Sequence, residues 1–172
     1  MIFFSPTDSG LLRTTKVEKM GRGKYFEDFV VGEESTSAGR TITETDIVNF
    51  AGLTGDWYEL HTNKEWAANG PFGQRIAHGA LIFSIATGLA LRIDPPSDGL
   101  MAFYGLDKLR FVKPTFIGDT IHVRQSVLEA TERDEKSGVV TVQTDVINQN
   151  EQVVVSYIAK VLYKRRIQSS GE

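Results

Sequence analysis

Asp56 and His61 stand five residues apart in a short polar stretch, and His78-Gly79 opens a run, residues 80–93, that is almost wholly apolar. A carboxylate titrating near about 3.9 and an imidazole near about 6.5 can share a proton close to neutrality. The apolar run reads as a buried helix, and the first N–H groups of a helix, with its dipole, favour negative charge. Glycine at that head admits a ligand close to the backbone. The combination suits proton transfer beside a developing anion. Each part has a plainer reading. Gly55-Asp56 alone is a turn, and His78 alone is a structural histidine that satisfies loop carbonyls and places Gly79. His122, beside Arg124 in a strand-like run, reads as a surface or half-buried residue.

Composition removes several other chemistries. The chain holds no cysteine, so disulfides, thiolate nucleophiles and cysteine-bound metals are excluded. His61 and His78 lack zinc-motif spacing and no HExxH accompanies them, so no metal is expected. The glycines form neither GxGxxG nor a P-loop, and no cofactor is expected. A net charge of −3 leaves no basic footprint for nucleic acid. Residues 80–91 fall short of the roughly 20 apolar residues of a membrane span. Met1-Ile2-Phe3-Phe4 is too short for a signal peptide. The expectation is a soluble, cytoplasmic protein of one domain.

The elements that must position these residues give an α+β pattern. Residues 1–24 mix Gly, Ser, Thr and basic residues without period and read as a flexible arm, in which Met20 is a candidate start. The folded unit is residues 25–164. Residues 35–42 read as a first strand. Thr43, with Asp46 three residues on, marks a helix start, and Gly52 and Gly55 its close. Asn63 caps a short helix over residues 64–68. Residues 76–93 form the longest helix, apolar nearly all round and therefore needing cover on all sides. Residues 100–112, 119–132, 138–148 and 152–164 are strand-like, joined by turns at residues 132–137 and Asn148-Gln149-Asn150. Local connections imply an antiparallel sheet wrapped around the helix, with edges that invite dimerisation. Lys164-Arg165-Arg166 leads into a solvated tail, residues 165–172.

Three separated stretches resemble the MaoC-type, (R)-specific enoyl-CoA hydratase family. In FAGLTGDWYELHTNKEWA, residues 50–67, Thr54-Gly55-Asp56, Leu60-His61 and Ala67 fall in the family's register. Ile76-Ala77-His78-Gly79 resembles its second signature, and FVKPTFIGD, residues 111–119, its strand and turn. One departure is clear: Tyr58-Glu59 replaces the family's Asn-Pro, adding a ring and a carboxylate to the loop beside the acyl site.

The resemblance implies a single hotdog fold over residues 25–164, a long central helix in a curled antiparallel sheet, as a homodimer or an oligomer of dimers. It implies addition of water across the 2,3 double bond of an enoyl thioester, or its removal, without cofactor or metal. Asp56 and His61 would be the catalytic pair. Gly79 and Ala80 would offer N–H groups to the thioester oxygen, with Ser84 in a positioning role. Trp57, Tyr58, Leu60, His78 and Phe83 would line the substrate pocket. The substrate would be an acyl-CoA or an acyl-carrier-protein thioester, with Arg110 and Lys113 as candidates for phosphate contact. Two rivals remain: a hotdog thioesterase, against which the acid's place before the helix counts, and a non-catalytic acyl-thioester-binding subunit.

Overall fold

The computed structural model describes residues 23–93 and 98–166. The expected arm therefore lies almost wholly outside the described residues, as do Met20 and the tail beyond Arg166. In order come β1 (Glu34–Thr36), β2 (Arg40–Thr41), α1 (Glu44–Thr54), α2 (Glu59–Thr62), α3 (Lys64–Ala68), α4 (Gly79–Ile93), β3 (Leu100–Phe111), β4 (Thr120–Glu132), β5 (Ser137–Asn148) and β6 (Val153–Lys164). The sheet is antiparallel with strand order β1-β4-β5-β6-β3, and β2 also pairs with β4. One face of it packs against α4. This is the hotdog architecture.

Alternation explains the wrapping. In β5 and β6, Val140, Val142, Val146, Val155, Tyr157 and Ala159 are buried while intervening residues are more open, as period-two strands with one covered face require. From the helix, Leu81, Ile82, Ile85, Ala86 and Leu89 pack with Val146, Val155, Tyr157 and Ala159 in the main core, which Ile42, Ile47, Ile121 and Val123 complete, while Val140 and Val142 belong to a second cluster with Phe26 and Val127. Fully burying such a side chain favours the fold by about 1.5–3 kcal/mol, so this helix–sheet contact dominates packing. The cover is one-sided, however. Ala80, Ser84, Gly88 and Arg92, at four-residue spacing, remain exposed, so the single chain does not enclose its helix as its composition suggested. Among the described residues no helix is long and apolar enough to cross a membrane.

Three further boundaries differ from the sequence reading. Residues 35–42 split into β1 and β2 because Ser37 breaks the ladder: its N–H donates to the Val123 carbonyl, and its hydroxyl accepts from the Val123 N–H. The central helix begins at Gly79 rather than residue 76. Ile76 is held in a bridge with Phe116, and the Ala77 N–H donates to the Thr115 carbonyl, so both are committed before the helix starts. Arg165 and Arg166 are not a free solvated end. Arg165 pairs with Glu27 and Glu132, and Arg166 with Asp28, closing the C-terminal end of β6 over the first turn of the fold. The long edge strand of the sheet is β3, opposite the short β1, and it exposes Met101, Phe103, Tyr104 and Phe111.

Candidate active site

Helix α1 delivers the acid. Thr43 caps it, accepting from the Asp46 N–H, while the Asp46 carboxylate accepts from the Thr43 N–H. This reciprocal pair satisfies donors that the helix itself cannot. At its other end Gly55 adopts φ +78°, the left-handed conformation that a side chain resists. The chain then turns sharply into Asp56, whose N–H donates to Thr54 Oγ1 at 3.2 Å. The Asp56 carboxylate accepts from the Tyr58 N–H at 3.3 Å and is about half exposed.

His61 lies on α2, a single helical turn where the sequence suggested only a polar segment. The departure at Tyr58-Glu59 takes its meaning from that turn. Glu59 is its first residue and Tyr58 precedes it with φ −55° and ψ 136°. The first helical position is where proline is favoured, and that ψ is what a residue before proline adopts. The loop therefore keeps a proline-compatible path without the proline. The Glu59 carboxylate accepts from Asn63 Nδ2 at 3.1 Å on the helix surface, and the Tyr58 ring packs edge-on to Trp66 and His61.

Both imidazoles are fixed by backbone carbonyls. His61 Nδ1 lies 2.8 Å from the Ile76 carbonyl oxygen. A carbonyl only accepts, so Nδ1 carries the proton and Nε2 of the neutral ring keeps its lone pair. By the same reasoning His78 Nε2, 3.0 Å from the Asp56 carbonyl, is the donor. His78 Nδ1 is then an unprotonated acceptor, buried without a partner. The two rings stack with centroids 3.8 Å apart. Burial holds the His78 pKa below its ordinary value; the bond to the Asp56 carbonyl opposes this and nearby His61 reinforces it. His78 Nε2 also lies 4.0 Å from Asp56 Oδ2, a dipolar contact rather than an ion pair, since the ring is neutral. Asp56, His61 and His78 each present a ligand atom within 4.8 Å of the others; among the described residues they are the ones that could hold a metal ion.

His61 opens onto a cleft of about 340 Å³ at the head of α4, shared with Gly79, Ala80, Phe111, Lys113 and Val155. Gly79 is needed here: a Cβ would fall 2.7 Å from the Phe111 ring, closer than packed atoms tolerate. The N–H groups of Gly79 and Ala80 belong to the first turn, which the helix ladder leaves unbonded.

The remaining expected residues are dispersed. Leu60 is half-buried behind the pair, its carbonyl accepting from the Ile76 N–H, while Trp57 and Tyr58 are more than half exposed. Ser84 donates to the Ala80 carbonyl and lines a different hollow with Arg40 and Arg92. Phe83 faces a second, apolar cavity. Lys113 reaches the cleft, whereas Arg110 donates to the neighbouring Leu109 carbonyl in an exposed position. Sequence reasoning missed the Ile76 carbonyl and the Phe111 ring. Both belong to the motifs quoted above, but their roles arise only when α2, α4 and β3 meet.

Residues 28–150 match the family described as MaoC like domain. Protein MaoC of Klebsiella aerogenes is 41% identical over 114 residues, 66% of this chain and 33% of that protein. The (R)-specific enoyl-CoA hydratase of Rhodospirillum rubrum is 41% identical over 98 residues, 56% of this chain and 65% of the relative. The chain thus spans between about a third and two thirds of these relatives' lengths. Among solved structures, one described as monoamine oxidase regulatory protein from Archaeoglobus superposes with a TM-score of 0.79 at 40% identity, covering 84% of this chain and 97% of that one.

Proposed function

The chain belongs to the MaoC-like domain family, and from that premise we propose that it is an (R)-specific enoyl-thioester hydratase, or in reverse a 3-hydroxyacyl-thioester dehydratase. The observation that carries this reading is the His61 tautomer. Donation from Nδ1 to the Ile76 carbonyl leaves Nε2 as a base, with the Asp56 carboxylate nearby and the α4 head sharing its cleft.

In the forward direction one water binds between Asp56 and His61. As its oxygen bonds to C3 of the enoyl thioester, His61 Nε2 and Asp56 remove one of its protons. The C2–C3 π pair moves toward C2 and the thioester oxygen, where the Gly79 and Ala80 N–H groups meet the charge. A proton returned to C2 completes the addition, so a water is gained and no net proton is consumed. An oxyanion donor of this kind is typically worth about 2.7–4 kcal/mol. Glycine at the helix head makes room for the Phe111 ring that walls the cleft, and Lys113 at the cleft suits the phosphates of CoA or an acyl-carrier protein. The exposed apolar edge β3 favours a homodimer paired edge to edge.

The test follows the enoyl-thioester absorbance with crotonyl-CoA and longer enoyl-CoAs while recording free thiol. Loss of the band without thiol is the expected result. Thiol release would replace this reading by a thioesterase. Binding of the thioesters with neither change would leave a non-catalytic binding subunit.

A further inference from the structure

Two cavities follow one another along the same helix and strand. The catalytic cleft touches Gly79 and Ala80 of α4 and Val155 of β6. A second cavity, of about 520 Å³ and mainly apolar, touches Phe83, Thr87 and Ala90 of α4 and Tyr157, Ala159 and Val161 of β6. On the helix these positions are a turn apart, and on the strand they alternate to one face. Both series run in the same order away from His61. The first α4 residue on the wall of the second cavity is Phe83, one turn past Gly79, its ring edge-on to Tyr157 with centroids 5.1 Å apart and to Phe103 at 6.5 Å. Tyr157 is buried and neutral, its ordinary pKa raised by burial to about 12 despite a hydrogen bond with Thr144. At 2% exposure and in edge contact with Phe83, its ring is a packed wall for that side chain.

We propose that Phe83, seated against Tyr157, is the residue that limits acyl-chain length, closing the catalytic cleft off from the apolar cavity behind it. This rests on the acyl-thioester reading of the cleft. Four residues of helix separate Gly79 from Phe83, about 6 Å, whereas Gly79 to Ala90 spans about 16 Å. A thioester carbonyl at the helix head thus leaves room for a short chain before the Phe83 ring and a medium chain beyond it. The intact protein prefers a four-carbon acyl group. Removing the ring joins the cavities, and each added methylene that becomes buried then strengthens binding by up to about fourfold.

The experiment compares the wild type, Phe83→Leu and Phe83→Ala. Hydration of crotonyl-CoA and 2-octenoyl-CoA is measured, and butyryl-CoA and octanoyl-CoA binding by calorimetry. The expected result is a wild-type preference for the four-carbon compounds, with the eight-to-four ratio rising at least about tenfold in Phe83→Ala and less in Phe83→Leu. Equal ratios in all three proteins, or a wild type that already favours eight carbons, would overturn the proposal. The calorimetric arm reads the ratio without turnover, so loss of the hydratase reading is distinguishable from loss of this one. If Phe83→Ala does not fold, the Phe83→Leu ratio decides alone.

Discussion

The two ends of α4 are built on opposite principles. At the head, His61 and His78 are each tied by one ring nitrogen to a backbone carbonyl, and Asp56 is held through its own N–H and carboxylate. Toward the tail, the cavity wall is Phe83, Ala90, Tyr157 and Val161, shaped chiefly by side-chain volume. Hydrogen bonds to the backbone set orientation to a fraction of an ångström, which proton transfer requires. Volume sets only what fits. Under the proposed function, the division would let chain-length preference change at one end without disturbing the geometry of the other.

The most severe way to break the head is to remove the two groups proposed to carry its protons. Asp56→Asn and His61→Ala are each expected to lower turnover of any accepted enoyl thioester by at least about a hundredfold. The loss should be equal for four- and eight-carbon substrates, because both meet the same pair. Steady-state kinetics on the two substrates checks this. Near-normal turnover in either variant would remove that residue from the mechanism, and a loss confined to one chain length would erase the separation of the two ends.

A milder test addresses the head's wiring. His78→Gln keeps a side-chain N–H for the Asp56 carbonyl but loses the ring stacked on His61 at 3.8 Å. Turnover is expected to fall about tenfold, equivalent to about 1.4 kcal/mol. The variant also carries a pH signature. Burial lowers the folded-state pKa of His78, so the unfolded chain binds the extra proton first. This contribution to stability is complete above about pH 6.5 and is lost as pH falls from there through the lowered folded pKa. Urea unfolding between about pH 5 and 7.5 should show the wild type weakening toward acid more steeply than His78→Gln. Parallel slopes would mean that His78 is not buried neutral.

The contrast between the two ends also explains what was legible in the sequence. Periodicity disclosed the long strands, the apolar core of α4 and the Thr43 and Asn63 caps, because these depend on local pattern. Asp56, His61 and Gly79 could be singled out because their residue types and spacing are distinctive. The partnership of His61 with the Ile76 carbonyl could not, since it joins residues fifteen positions apart through a carbonyl every residue possesses. Ser84 illustrates the opposite limit. One turn beyond Ala80, its hydroxyl is absorbed by the Ala80 carbonyl, and proximity in sequence to the helix head did not bring it into the His61 cleft. Nor could composition reveal that the Ala80, Ser84, Gly88 and Arg92 face stays open, because small residues satisfy a buried or an exposed helix equally.

The smallest expected effect concerns the loop itself. Glu59 stands at the first position of α2, after a residue at φ −55° and ψ 136°. Its N–H has no partner within the helix, and the bond from Tyr58 N–H to Asp56 is made one residue earlier. Proline at position 59 therefore removes no hydrogen bond that holds the acid and imposes a φ suited to a helix start. It restricts the unfolded chain as well, which at a compatible site stabilises by about 0.4–1 kcal/mol. Against this stands loss of the exposed contact between Glu59 and Asn63 Nδ2, worth less because water competes for both groups. Glu59→Pro should leave turnover within about twofold and raise the unfolding midpoint slightly. A large loss of activity without unfolding would show that the carboxylate, and not the path of the backbone, is what this loop contributes to the head of α4.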